Sequence, residues 1–257
     1  SLTEDGRRVV FWAKFKGPGP NAFFKGTTHG AFYIDLDETG TKAIGPARMV
    51  ISYPTRIIPD ATEALRDHIN ITHAQVNPHD RDLIAYCHGS YAYPDGSGHL
   101  SRMWQVRSDG SNDGVILPTP AGRYHTHELW GPDGKWMYYV DTGELRRVSV
   151  VGKGVEILGD HLAAQAWHLS VSNDMKRIAY DSRVPGKTPD AKGNILGEVY
   201  AFDVASKQAT RLATSPWSER YHTHPHPKIA PDGSAVAFNV ATDSSSRVAI
   251  VRLDQIK

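Results

Sequence analysis

The chain has 257 residues, 40% of them hydrophobic, enough for one large domain or two small ones around a packed core. Its 29 Lys and Arg against 28 Asp and Glu leave a formal charge of +1, so it lacks the basic field with which proteins hold nucleic acid or an anionic membrane, and neither is expected as a partner. A single cysteine, Cys87, excludes an internal disulfide, and no stretch nears the roughly 18 apolar residues with which a helix spans a bilayer. Residues 1–30 lack the layout of a signal peptide and a lone thiol fits a reducing compartment, so the expected location is cytoplasmic, or periplasmic if a signal has been removed.

In chain order, one unit recurs: a strand, a turn built on Pro-Asp-Gly or a near relative, an aromatic-rich second strand, then a third strand with a polar turn. The first turn is Glu4-Asp5-Gly6, followed by VVFWAKF and AFYIDLDETG. An insertion over about 45–70 carries TEALRDHI, which reads as a short helix with Asp60 or Thr62 as its N-cap. Pro78-His79-Asp80 then precedes LIAYCHG and RMWQVRSDGS, and Pro132-Asp133-Gly134 precedes WMYYVDT and ELRRVSVVGKG. Asn173-Asp174-Met175 opens RIAYDSR, a polar loop at 185–194 and EVYAFDVASK; Pro231-Asp232-Gly233 opens AVAFNVA and RVAIVRLD. Alternation with β-branched and aromatic residues marks strands, and Asp-Gly after Pro marks a hairpin turn. The expected fold is therefore all-β, a β-propeller of four-stranded blades with about five blades visible, one domain over 1–257 that opens inside a blade. Five blades fit a small ring, or part of a seven-bladed ring lacking N-terminal blade sequence.

Alignment of the units on their turns exposes a second regularity. The residue five places before Pro78, Pro132, Asn173 and Pro231 is His73, His127, His168 and His226. A lone histidine is ordinarily a hydrogen-bonded core or surface residue, but four at one register position, at the start of the innermost strand of each blade, converge toward a common axis. Imidazoles so placed are natural ligands for Zn, Mn, Fe, Ni or Cu. The densest run is Tyr221-His222-Thr223-His224-Pro225-His226-Pro227, where alternation puts the histidines on one face and the prolines exclude central sheet pairing. His125 and His127 repeat the pairing beside Glu128.

The ordered set THAQVNPHDRDLIAYCHG, RMW, HELWGPDG, WHLSVSND and HPHP...PDG, over roughly residues 70–240, resembles the oligogalacturonate lyase family, metal-dependent β-propeller lyases of pectin fragments. The resemblance implies that His168, His224 and His226 bind the metal, that the metal is manganese, that His127 is the general base and that Arg102 lies beside the reacting sugar. An acidic oligosaccharide is the implied substrate. The chain departs from the family at Tyr221, three residues before His224, where the family usually has a glutamine ligand. A phenol with an ordinary pKa of about 10 is a poor neutral ligand. Either the metal keeps three histidines plus water, or Tyr221 faces the substrate as a proton donor to the departing oxygen or as a binding group; we count it with His127 and Arg102 among the catalytic candidates.

The residue types suit β-elimination from a uronate, which needs a base for the C5 proton and neutralisation of the C5 carboxylate. Paired carboxylates of the kind a glycosidase uses do not stand out. Trp104, Trp130, Trp136 and Trp167 lie in strand patterns and read as blade core. Two other readings follow from the same residues: a lyase acting on another uronic-acid glycan, to which Tyr221 points, and a non-catalytic TolB-like propeller interaction domain, which would have no use for histidines in register.

Overall fold

The computed structural model of the chain describes residues 1–16, 27–52, 71–88, 101–151, 154–160, 162, 164–184, 194–218, 224–241 and 246–255. The helix expected within TEALRDHI, Tyr221 and the polar loop expected at 185–194 lie outside these residues, except that Asn194 of that loop begins a strand. The described chain is all-β, with one short 3₁₀ turn at Leu253–Gln255. It divides into two compact units, Ser1–Tyr124 and His125–Lys257.

The first unit holds two antiparallel sheets. One runs β1 (Arg8–Lys16), β2 (Thr27–Asp35), β3 (Arg48–Ser52); the other runs β4 (Ile71–Val76), β5 (Leu83–His88), β6 (Met103–Arg107), β7 (Gly114–Leu117). Leu2 bridges Val9, so the first residues of the chain run along β1 where a fourth strand would lie. The second unit holds three sheets: β8 (His125–Trp130), β9 (Trp136–Asp141), β10 (Glu144–Ser149), β11 (Val155–Gly159); then β12 (Ala166–Val171), β13 (Arg177–Arg183), β14 (Asn194–Asp203), β15 (Gln208–Ser218); then β16 (Lys228–Ile229), β17 (Ala235–Ala241), β18 (Ser246–Arg252). In every sheet the strands follow one another in chain order, the meander of a propeller blade.

Strand alternation supplies sheets with apolar faces, and within each unit the cores lie between successive sheets. In the first unit Val10, Ala31, Tyr33 and Ile51 pack with Ile71, Val76, Ile84, Tyr86 and Val106. In the second, Ile178 and Tyr180 of β13 join Tyr138, Val140 and Leu145 of the preceding sheet. Ala179, on the opposite face of β13, joins Ile229, Val236 and Phe238 of the following one. Each fully buried aromatic or aliphatic side chain contributes about 1.5–3 kcal/mol by leaving water.

The repeat turns work as the sequence implies. Asp5, Asp80, Asp133, Asp174 and Asp232 each accept, through Oδ1, the backbone N–H two residues on, at 2.9–3.1 Å. This side-chain mimic of a turn explains why an aspartate recurs there. Gly6, Gly134 and Gly233 follow three of these aspartates with φ of 68°, 65° and 72°; Met175 takes the same left-handed place at φ 57° without being glycine.

The strands that precede the turns are interrupted. β4, β8 and β12 each shift register against their partners, between Thr72 and Gln75, Thr126 and Leu129, and Ala166 and Leu169. Each irregularity spans one of the histidines in register. A bulge bends its strand and re-aims a side chain that plain alternation would send into the sheet face. His73, His127 and His226 have φ of 50°, 52° and 43°, a left-handed conformation that histidine tolerates better than most residues but that still carries strain.

Candidate metal centre

His168, His224 and His226 offer ring nitrogens that all lie within 4.8 Å of one another, close enough to hold one ion. The first comes from the bulge in β12, the other two from the His-Pro-His segment ahead of β16. The rings of His168 and His226 are 3.6 Å apart between centroids, and those of His224 and His226 are 5.5 Å apart and inclined by 13°. His168 is buried, His224 half-buried and His226 exposed, so the cluster opens to solvent on one side.

Three groups that sequence reading did not assign hold this arrangement. Asp181, from β13, is fully buried. Its Oδ2 lies 2.9 Å from Nδ1 of His168, its Oδ1 accepts the His168 backbone N–H at 2.8 Å, and its Oδ2 accepts the His226 N–H at 2.9 Å. Asn239, from β17, donates through Nδ2 to the His224 carbonyl at 3.3 Å, and its backbone N–H donates to the Pro225 carbonyl at 2.7 Å. Trp217, from β15, has no exposed surface and lies against His224.

Electrostatics favour a neutral imidazole at His226. Although His226 is exposed on its solvent side, partial desolvation by its neighbours lowers its pKa below the ordinary histidine value, with Asp181 opposing and His224 acting in the same direction. A metal binds the unprotonated ring, so a depressed pKa keeps the donor available near neutral pH. Burial pushes Asp181 up to about 6, against the backbone N–H groups of His168 and His226 that pull it down. Three imidazole nitrogens, backed by a buried carboxylate, suit a divalent transition ion.

His127 stands beside the set without belonging to it. Its ring centroid is 4.2 Å from that of His168 and 5.8 Å from Trp167. It is half-buried, at the bulge in β8. Arg102 belongs to the first unit, where it is buried; its Nη2 lies 3.0 Å from Nδ1 of His73, and its Nη1 donates to the His88 carbonyl at 3.3 Å. His88 is fully buried, and that burial, with Arg102 nearby, drives its pKa down to about 3. The fourth histidine in register is thus engaged with the arginine.

Signals for the missed groups were present in part. Asp181 interrupts the apolar strand RIAYDSR, and period two puts it on the face of Ala179, toward the His-Pro-His segment. Nothing local marks Asn239 or Trp217, whose contacts with the centre come from separate strands.

Residues 55–256 match the family model described as oligogalacturonate lyase. Oligogalacturonide lyase of Pectobacterium atrosepticum is 27% identical over 210 residues, and oligogalacturonate lyase of Dickeya dadantii 25% identical over 209. Each alignment covers 76% of this chain and 53% of the relative, so the chain spans about half the length of the relatives it matches. A solved structure of oligogalacturonate lyase in complex with manganese superposes with a TM-score of 0.71 at 19% identity, covering 99% of this chain and 64% of the other. Oligogalacturonate lyase from Vibrio parahaemolyticus gives 0.68 at 20% identity, covering 99% and 65%. These two solved proteins share its fold.

Proposed function

Because the chain belongs to the oligogalacturonate lyase family, we propose that it takes part in metal-dependent β-elimination on uronate-containing oligosaccharides, with manganese as the ion and His168, His224 and His226 as its ligands. The observation that carries this reading is the convergence of those three imidazoles within 4.8 Å, with His127 alongside. Two of the relatives, both named as lyases of oligogalacturonate or oligogalacturonide, align over 76% of this chain.

In this reading His127 removes the C5 proton. The electron pair of the broken C–H bond becomes the C4–C5 double bond, the C4–O bond breaks, and the departing oxygen keeps its pair until it is protonated. A bound divalent ion supplies positive charge that neutralises the C5 carboxylate and stabilises the charge developing on it. Arg102, assigned by sequence to the reacting sugar, is held in one orientation within the first unit by its bonds to His73 and the His88 carbonyl. Tyr221 is assigned by sequence to the substrate side, where its hydroxyl protonates the departing oxygen.

The test is direct. Protein stripped with a chelator, reloaded with Mn²⁺ and incubated with oligogalacturonate should release products with the ultraviolet absorbance of a 4,5-unsaturated uronate, and the stripped protein should not. Reloaded protein that binds Mn²⁺ and forms no unsaturated product from any uronate oligosaccharide would overturn the reading.

A further inference from the structure

We propose that Asp181 is a positioning residue that fixes the ring orientation of His168 and ties the backbone of His226 to the same anchor, joining the two metal-bearing segments. The inference rests on the reading of these histidines as ligands. One carboxylate meets three nitrogens from two segments of chain, β12 and the run ahead of β16: the backbone N–H of His168 at 2.8 Å, the Nδ1 of the same residue at 2.9 Å and the backbone N–H of His226 at 2.9 Å. The side chain is completely buried, and among the described residues no lysine or arginine pairs with it.

A buried carboxylate without a cationic partner is costly, and hydrophobic packing would serve a purely structural position better. The position is otherwise apolar in character: Ala179 lies on the same face of β13, and in the second unit that face builds the core shared with β16 and β17. Only an ionised or charge-sharing acceptor accounts for the geometry. An asparagine has a single acceptor oxygen, so its amide nitrogen would be turned toward one of the three N–H groups. A carboxylate satisfies all three, and in doing so it requires the proton of His168 to sit on Nδ1, which assigns Nε2 to the metal.

The backbone bond to His226 has a separate consequence. His226 is held at φ 43°, a strained conformation that persists only where its surroundings over-determine it. Asp181 from one side and Asn239, through His224 and Pro225, from the other supply that determination.

Two measurements test the proposal. Nitrogen-15 spectra of the histidine rings in metal-free wild-type protein should show His168 protonated at Nδ1 and bare at Nε2, a result that needs no variant to fold. Titration of Asp181→Asn with Mn²⁺, followed by calorimetry and by the electron paramagnetic resonance of the free ion, should show affinity weakened about 10–100-fold, with the lost affinity traced to the folded fraction. A wild-type His168 protonated at Nε2 overturns the proposal, as does a folded Asp181→Asn protein that binds Mn²⁺ as tightly as wild type. Wild-type protein that shows the Nδ1–H ring but binds no Mn²⁺ overturns the metal reading while leaving the hold on His168 intact.

Discussion

The indole of Trp217 lies over the ring of His224, with centroids 4.5 Å apart and planes inclined by 24°. The same indole faces His168 at 5.8 Å and meets Trp167 edge-on at 6.2 Å. A buried tryptophan thus forms the apolar back wall against which two imidazoles rest. Trp217→Ala should cost about 3–5 kcal/mol of stability, as truncation of a large buried aromatic does, and should weaken Mn²⁺ binding as well. Trp217→Phe keeps a ring on His224 and should retain most of the metal affinity. Chemical unfolding and metal titration of the two variants, side by side, separate the wall from the stack.

His127→Ala should reduce turnover by about 10²–10⁴-fold, the usual worth of a positioned base, while the metal content of the purified protein stays that of wild type. The ring lies outside the set of three nitrogens, so its loss removes no ligand. Elemental analysis beside the absorbance assay checks both halves. A variant that loses its metal would make His127 a ligand and reassign the base.

Tyr221→Phe should lower the rate of elimination with metal retained, because a phenylalanine keeps the ring and removes only the hydroxyl assigned to the departing oxygen. The loss should shrink with substrates whose leaving group is a better one, such as a uronate carrying an aryl group on O4, since such a group departs without protonation. Equal losses on both substrates would take the proton-donor role from Tyr221.

Arg8 anchors the first unit through a bidentate contact with Asp35, Nε to Oδ1 at 2.6 Å and Nη2 to Oδ2 at 3.2 Å, and a third bond from Nη1 to Asp82 at 2.8 Å. The bond from Arg8 holds Asp35 below the ordinary carboxylate pKa of 3.8, and the Ser108 hydroxyl together with Arg8 does the same for Asp82. Groups with lowered folded-state pKa values stabilise the fold above their unfolded pKa and lose that contribution as pH falls through the folded one. Protection of the β1 and β2 amides from hydrogen exchange should therefore hold from neutral pH down to about 5 and decline below about 4. Asp35→Asn should flatten that decline and lower protection at pH 7.

Some of this was legible in the residues and some was not. The five turn aspartates were readable because each acts locally, on an amide two residues away. The histidine register was readable because it is tied to those turns by a fixed count. What holds the histidines was not. Asp181, Asn239 and Trp217 come from second and fourth strands, and their contacts reach far along the chain: Asp181 meets His226 across 45 residues, and Trp217 meets His168 across a still longer span. The bulges were hidden too: alternation alone predicts one face for each side chain, and a register shift at His127 or His168 appears only when the partner strand is in place.

His73, His127 and His226 share a left-handed backbone, and this sets the terms on which the chain could change. An L-residue with a Cβ carries strain there of order 1–3 kcal/mol, glycine carries almost none, and asparagine or aspartate little. At these three positions the side chain that chemistry asks for and the residue that the backbone prefers are different. Relaxed selection for catalysis would therefore favour drift toward Gly or Asn at 73, 127 and 226 rather than toward Ala, and the substituted chains would be more stable than their alanine counterparts. A histidine kept there is a record of use, written in conformational strain.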